Sequence, residues 1–245
     1  MIREQLIKAQ ENREKIRKAG DDKTKLPGRD LSMEALVEVL DGKRVVHFHT
    51  HRHDDIMSAL RLQKEFGFRV VLQHVSEAWK VADEIAKAGV PSSIILIDSP
   101  GGKLETLDIK FENAAALEKA GAMFGFHTDD GITDSRFLLR MAGIGVRGGL
   151  SRDKALYALT MAGAKMLDMD KRIGSLEAGK DADFIVLSGD PLSVYTHVLQ
   201  TYVEGKKVFD RSDPKDYLIA TGGYGASTDK TLHVDCFDDD LGGQK

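Results

Sequence analysis

The chain has 245 residues, of which 42% are hydrophobic and 30% charged, with a formal net charge of −4. This composition is typical of a globular protein with one large α/β domain, and the acidic balance gives no reason to expect nucleic acid or an anionic membrane as a partner. The single cysteine, Cys236, excludes an intrachain disulfide and a cysteine-rich metal site. Because the chain lacks a long apolar stretch and a signal-peptide pattern at its charged start, we expect a cytoplasmic protein without a membrane span.

The first 43 residues are predicted to be helical. Ile2, Leu6 and Ile16 recur among charged residues with a helical period over 2–19. A polar linker over 20–29 separates this helix from a shorter one predicted over 32–40. We expect the segment 1–43 to belong to the domain that follows it.

From residue 44 the pattern changes to alternating strands and helices. Strands are predicted over 44–50, 69–74, 91–97 and 122–127, and helices over 54–66, 77–88, 111–120, 134–145 and 152–167. Glycine ends the first three of these helices, and Ser151 suits the N-cap of the last. Strands that alternate with helices in this way predict an α/β fold with a parallel sheet and right-handed crossovers.

After residue 170 the pattern changes from alternating strands and helices to short strands in succession. A strand is predicted over 184–187 and a hairpin over 198–203 and 207–209. Residues 171–210 therefore form a small β unit. The polar, glycine-rich stretch 211–245 is predicted to be a weakly ordered tail.

Histidine and aspartate follow three of the predicted parallel strands. His49 lies at the end of the first strand, His74 ends the second, and Asp129 follows the fourth. In parallel α/β sheets and barrels the carboxyl ends of the strands meet at the functional edge. The sequence therefore predicts a metal site at that edge, although strand-end histidines can also be satisfied by backbone carbonyls, and paired aspartates are common in turns.

Several motifs resemble one known family. They are Val-His-Phe-His-Thr-His-Arg-His-Asp-Asp-Ile (46–56), Val-Val-Leu-Gln-His (70–74), Phe-His-Thr-Asp-Asp (126–130) and Gly-Ser-Leu-Glu-Ala-Gly-Lys-Asp-Ala-Asp-Phe (174–184). Together they resemble the C-terminal half of the metal-dependent amidohydrolase superfamily, nearest to its imidazolonepropionase-like and prolidase-like members. The resemblance covers about residues 1–210. The family's earlier His-X-His strand and its bridging-lysine strand have no counterpart in the chain.

The resemblance implies a fold and a chemistry. Residues 44–170 would form a partial (β/α) TIM-like barrel, about strands 5–8 of eight, and 171–210 a β-sandwich remnant. His49, His74 and Asp129 would be metal ligands, with Asp129 also the catalytic general base. The implied cofactor is a divalent metal, with zinc expected and manganese or cobalt as alternatives. The implied reaction is hydrolysis of a small amide, peptide-like or cyclic C–N substrate by metal-activated water.

Some alternatives stay open at this point. His51 is a candidate for substrate contact or for a stand-in metal ligand, and His127 for substrate binding or for support of a ligand. Because the ligand set is incomplete relative to the family, a homo-oligomer or a complementing N-terminal half is expected as partner. The alternative function is a non-catalytic fragment that self-associates and binds metal weakly or not at all.

Overall fold

The structure, a computed structural model, describes residues 1–97, 103–130 and 133–221. The predicted tail beyond residue 221 lies outside the described residues. The helices are α1 (Ile2–Ala19), α2 (Leu31–Leu40), α3 (His53–Phe66), α4 (Ala82–Ala88), α5 (Asn113–Ala120), α6 (Leu138–Arg147), α7 (Arg152–Leu159), α8 (Met161–Met166) and α9 (Pro214–Thr221). The strands are β1 (Val45–Thr50), β2 (Arg69–His74), β3 (Ser92–Ile94), β4 (Phe124–Phe126), β5 (Phe184–Leu187), β6 (Val198–Val203) and β7 (Lys206–Asp210).

The first four strands form a parallel sheet in chain order, β1-β2-β3-β4. Each strand is followed by helical structure before the next strand begins, as the alternating pattern predicted. The predicted α/β fold with a parallel sheet is therefore confirmed. Strand β3 is shorter than predicted, since it is paired with β2 and β4 over only three residues, Ser92–Ile94.

Side chains alternate between the two faces of this sheet. Val70, Leu72 and Phe124 belong to the main hydrophobic core, and Leu72 and Phe124 are fully buried. The other face carries a row of four residues, one from each strand in the order β1 to β4. They are His49, Gln73, Ser93 and Gly125. We call this second face, with His47, the histidine face.

The N-terminal helices pack against the same core as the sheet. Leu6 and Ala9 of α1, with Val39 and Leu40 of α2, belong to the cluster that contains Leu72. Helix α2 begins where the Asp30 carboxylate accepts hydrogen bonds from the first backbone N–H groups of the helix, at 3.0 and 3.1 Å. The segment 1–43 is thus in direct contact with the domain that follows.

The helix predicted over 152–167 is broken into α7 and α8 at Thr160. The backbone of Thr160 leaves the helical region (φ −130°, ψ −88°), and the Thr160 hydroxyl donates a hydrogen bond to the carbonyl of Leu156 at 2.8 Å. The break lets α8 continue across the histidine face, where Ala162 and Met166 pack on Val71. The same two side chains also lie against Gly125 of β4, where a Cβ would come within 3.3 and 3.4 Å of them.

A second, antiparallel sheet of order β5-β6-β7 follows, with the predicted hairpin between β6 and β7. Helix α9 was not predicted; the Asp216 carboxylate on it accepts a hydrogen bond from the Asp210 backbone N–H at 2.8 Å. In the part of the chain that the structure describes, no helix is both long and apolar enough to cross a bilayer.

Candidate metal centre

Three imidazoles come together at the carboxyl ends of β1 and β2. His49, His51 and His74 each offer one nitrogen, and these nitrogens lie within 4.8 Å of one another. The centroid of the His74 ring is 4.4 Å from that of His49 and 4.7 Å from that of His51. The ends of two neighbouring parallel strands thus bring three imidazole nitrogens into one small volume.

An unusual backbone conformation turns His74 into this cluster. Strand alternation would place His74 on the same face as Leu72, away from His49. Instead His74 has φ +69°, and the backbone N–H of Val75 donates both to the carbonyl of Gln73 at 2.9 Å and to that of Thr50 at 2.8 Å. This tight turn is a sparsely populated conformation for a residue with a side chain. Such strain, of order 1–3 kcal/mol, is typical of residues that are held for a function.

His51 is fully buried beneath the other two rings. Its Nδ1 is in hydrogen-bond contact with the Ser76 hydroxyl at 2.7 Å, which leaves Nε2 on the side of the cluster. Burial, followed by the charge of His49, lowers the pKa of His51 to about 3. The ring is therefore neutral at pH 7, which is the form that binds metal ions.

His74 has its own supporting contact from β4. Its Nδ1 lies 3.2 Å from Nε2 of His127, and Nδ1 of His127 lies 2.8 Å from the Ser93 hydroxyl. Burial, followed by the charge of His127, lowers the pKa of His74 to about 2. A metal-binding imidazole is commonly oriented through its second nitrogen, and Ser76 and His127 are placed to do this for His51 and His74.

Glu105 is a neighbour of the cluster that the sequence did not indicate. It lies in a 3₁₀ turn, Leu104–Thr106, and its Oε1 is 3.6 Å from Nε2 of both His49 and His51. The carboxylate is 39% exposed and the His49 side chain 57% exposed, so solvent reaches this side of the cluster. No spacing or periodic pattern relates Glu105 to the histidines, which is why sequence reasoning missed it.

The loop that carries His51 is fixed by Glu77. The Glu77 backbone N–H donates to the His51 carbonyl at 3.0 Å, and its buried carboxylate accepts the backbone N–H of His53 at 3.0 Å. Lys80 pairs with the same carboxylate at 3.1 Å. This network joins the loops after β1 and β2 and so holds the first and second histidine-bearing segments together.

Asp129 is placed differently from the other predicted ligands. It follows β4 in an exposed turn with φ +54°. Among the described residues, the group that could hold a metal contains His49, His51 and His74 but not Asp129. The structure therefore brings together two of the predicted ligands, adds the alternative His51, and places His127 in contact with His74.

The comparisons with known proteins identify a family. The sequence matches the amidohydrolase family over residues 23–209. Amidohydrolase tasK of Hapsidospora irregularis is 28% identical over 185 residues, which cover 74% of this chain and 19% of that protein. The crystal structure of an amidohydrolase from Thermotoga maritima MSB8 is 34% identical with a TM-score of 0.80, over 86% of this chain and 55% of that one.

A zinc-bound adenosine deaminase from Xanthomonas campestris shares the fold at 22% identity and a TM-score of 0.54, over 73% of this chain and 48% of that one. The chain therefore spans about half the length of these solved structures. Because the family match extends over most of the chain and the histidine cluster lies where the parallel strands end, the predicted membership is confirmed: the chain belongs to the amidohydrolase family.

Proposed function

We propose that the chain carries part of a metal-dependent hydrolase that acts on amide or cyclic C–N bonds. The observation that carries this proposal is the group of three imidazole nitrogens within 4.8 Å of one another at the carboxyl edge of a parallel sheet. Relatives named amidohydrolase support the reaction class. The substrate we propose is a small amide or peptide-like molecule.

The donor set fits a divalent transition metal. Three imidazole nitrogens suit zinc, with cobalt as an alternative, whereas manganese prefers oxygen ligands. The low pKa values of His51 (about 3) and His74 (about 2) mean that protons do not compete for these nitrogens near neutral pH. Zinc is therefore the metal that we propose, and the zinc-bound deaminase of the same fold is consistent with it.

We further infer that β1–β4 correspond to strands 5–8 of an eight-stranded barrel, so that residues 44–170 form a partial barrel. Residues 171–210 then correspond to a β-sandwich remnant, with 1–43 packed on the barrel and 211–245 as a tail. The open edge of β1 supports this reading, since β1 is paired only with β2 in the part of the chain that the structure describes. A second copy or a complementing half would pair at this edge.

The roles of the residues follow from their contacts. When bound, the metal would polarise the substrate carbonyl and lower the pKa of a water molecule. His49, His51 and His74 would hold it, while Ser76 and His127 orient the buried rings. We assign Asp129 the role of general base, because it follows the fourth strand at the same edge and its exposed carboxylate is accessible to substrate and water.

The test is hydrolysis measured with purified full chain after loading with zinc, manganese or cobalt. We expect turnover of an N-acyl amino acid or a cyclic amide, lost in His49→Ala and in Asp129→Asn. The matched control is His197→Ala, which should keep full activity because His197 is an exposed histidine directly before β6. Activity that survives both of the first two substitutions would refute the assignment.

The second candidate is a non-catalytic chain that self-associates. It is favoured by the exposed apolar side chains of the second sheet, namely Ile185, Val186, Leu199, Val203 and Val208. Mass in solution and metal content separate the two candidates. An oligomer without tightly held metal and without turnover supports the second, whereas about one metal per chain with turnover supports the first.

A further inference from the structure

A cavity of about 460 Å³ lies between the start of α6 and the antiparallel sheet. One wall contains Thr201 of β6 and Phe209 of β7, which are paired across the two strands. Phe137 lines the cavity from the turn before α6, and Ile219 lines it from α9. Small-molecule sites usually have volumes of about 300–1,000 Å³. The cavity is therefore large enough for a small ligand, and none of its lining residues belongs to the histidine cluster.

Three arginines line this cavity, and two of them have no acidic partner. The Arg136 guanidinium is engaged by the Asp134 carboxylate, with both oxygens 2.9 Å from its Nε. Arg140, four residues further along, and Arg211, directly after β7, form no ion pair with another residue that the structure describes. Within the described ranges, the residues that line the cavity include no aspartate or glutamate. Two positive charges therefore border the cavity without compensation.

Arg211 is held in place by groups that carry no negative charge. Its backbone N–H donates to the Leu199 carbonyl at 2.8 Å, and its guanidinium carbon lies 5.6 Å from the centre of the Tyr217 ring. The carboxylate of the preceding residue, Asp210, pairs with Lys207 at 2.6 Å instead. A guanidinium that contacts an aromatic ring keeps its N–H donors for another partner. Arg211 is thus positioned for a negatively charged group that the described residues do not supply.

Apolar side chains accompany these charges. Phe137 is 46% exposed and Ile219 is 60% exposed, so both keep surface that a ligand can cover. Guanidinium groups bind carboxylates and phosphates through pairs of parallel hydrogen bonds. A site that combines such donors with apolar walls favours a ligand with an anionic head and an apolar body.

We propose that this cavity is a second binding site, for a small organic anion with a carboxylate or phosphate head on an aromatic or aliphatic body. Arg140 and Arg211 bind the head group, while Phe137 and Phe209 contact the body. The site goes beyond the proposed hydrolase function and does not depend on a metal ion.

The experiment is isothermal titration calorimetry of the full chain with benzoate and with phenyl phosphate, in the presence of a chelator so that no metal ion contributes. The wild type is expected to bind one anion per chain and to bind benzamide, the neutral analogue of benzoate, far more weakly. Arg140→Gln and Arg211→Gln are each expected to weaken binding of the anion about 10–100-fold, because each removes charged hydrogen bonds. Arg140→Lys, which keeps the charge, is expected to lose less affinity than Arg140→Gln. The relative affinities for the two probes distinguish a carboxylate site from a phosphate site.

Arg147→Gln is the matched control, because Arg147 is an exposed arginine in the last turn of α6 and does not line the cavity. It should bind the anion like the wild type, and circular dichroism should show the same fold for all variants. If Arg211→Gln fails to fold, the comparison of Arg140→Gln with Arg147→Gln decides the matter. Equal losses in those two variants, or equal affinities for benzoate and benzamide, would overturn the inference. A wild-type chain that binds neither anion would overturn it as well, and each of these failures would leave the proposed metal centre standing.

Discussion

The two buried histidines make the stability of the metal-free chain depend on pH. In the folded chain the pKa of His51 is lowered to about 3 and that of His74 to about 2, in both cases chiefly by burial. In the unfolded chain an ordinary histidine has a pKa of about 6.5. Below that pH the unfolded chain binds protons that the folded chain does not, so the free energy of unfolding must fall as the solution is acidified.

The magnitude follows from the same values. A histidine that stays neutral in the folded chain and has a pKa of about 6.5 when unfolded contributes a loss of about 2 kcal/mol between pH 8 and pH 5. His51 and His74 together therefore give about 4 kcal/mol. The full contribution is present above about pH 6.5 and is lost progressively towards the folded pKa values of about 3 and 2.

The groups around the two rings act on their pKa in both directions. After burial, His49, His127 and Lys103 act on both rings and lower their pKa further. Glu105, 3.6 Å from Nε2 of His51, acts in the opposite direction but is 39% exposed and screened by solvent. Burial is the largest cause for both rings, so the direction of the effect stands.

The assay is urea unfolding of the metal-free chain with a chelator present, at pH 8, 6.5 and 5. His51→Gln should lose about half of the wild-type difference in unfolding free energy between pH 8 and pH 5. His197→Gln, a substitution on the exposed hairpin sheet, should keep the full difference. A wild-type stability that stays constant from pH 8 to pH 5 would show that His51 and His74 are not held neutral in the folded chain.

Two further predictions concern packing, and urea unfolding checks both. Leu72→Ala removes a fully buried side chain from β2 and should lower the free energy of unfolding by about 2–5 kcal/mol. The control Leu176→Ala changes a side chain that is 76% exposed and should alter the free energy of unfolding by less than about 0.5 kcal/mol. Equal effects of the two substitutions would contradict the placement of Leu72 in the core. Gly148→Ala should destabilise by about 1–3 kcal/mol, since a Cβ there would come within 2.3 Å of the Phe111 carbonyl oxygen. Gly163→Ala in α8 meets open space and should stabilise by about 0.5–1 kcal/mol, and a loss of stability there would show that α8 is placed wrongly.

Much of the fold could be predicted because it depends on local patterns. Strand β2 is found at 69–74 as predicted, since its apolar run is bounded by Gly67 and by the turn at His74. The break at Thr160 could not be predicted, because it follows from the packing of α8 on Val71 and not from any helix-breaking residue. Helix α9 was missed because its polar surroundings outweighed its short apolar run.

The candidate site was predictable only in part. The position of His49 at a strand end could be inferred from the period of the strand. The approach of His74 to His49 and His51 could not be inferred, because it depends on the positive φ of His74, which no local pattern reveals. Glu105 was invisible to sequence reasoning, since the fold brings a turn 31 residues beyond His74 back to the cluster.

The proposed function requires that one metal ion is held between the histidines of two adjacent strand ends. Anomalous diffraction at the zinc edge, from crystals of the chain grown with zinc, tests this most directly. We expect a single strong peak about 2.0–2.3 Å from one nitrogen each of His49, His51 and His74. Well-ordered imidazoles with no anomalous peak between them, or a peak bound to other residues, would contradict it.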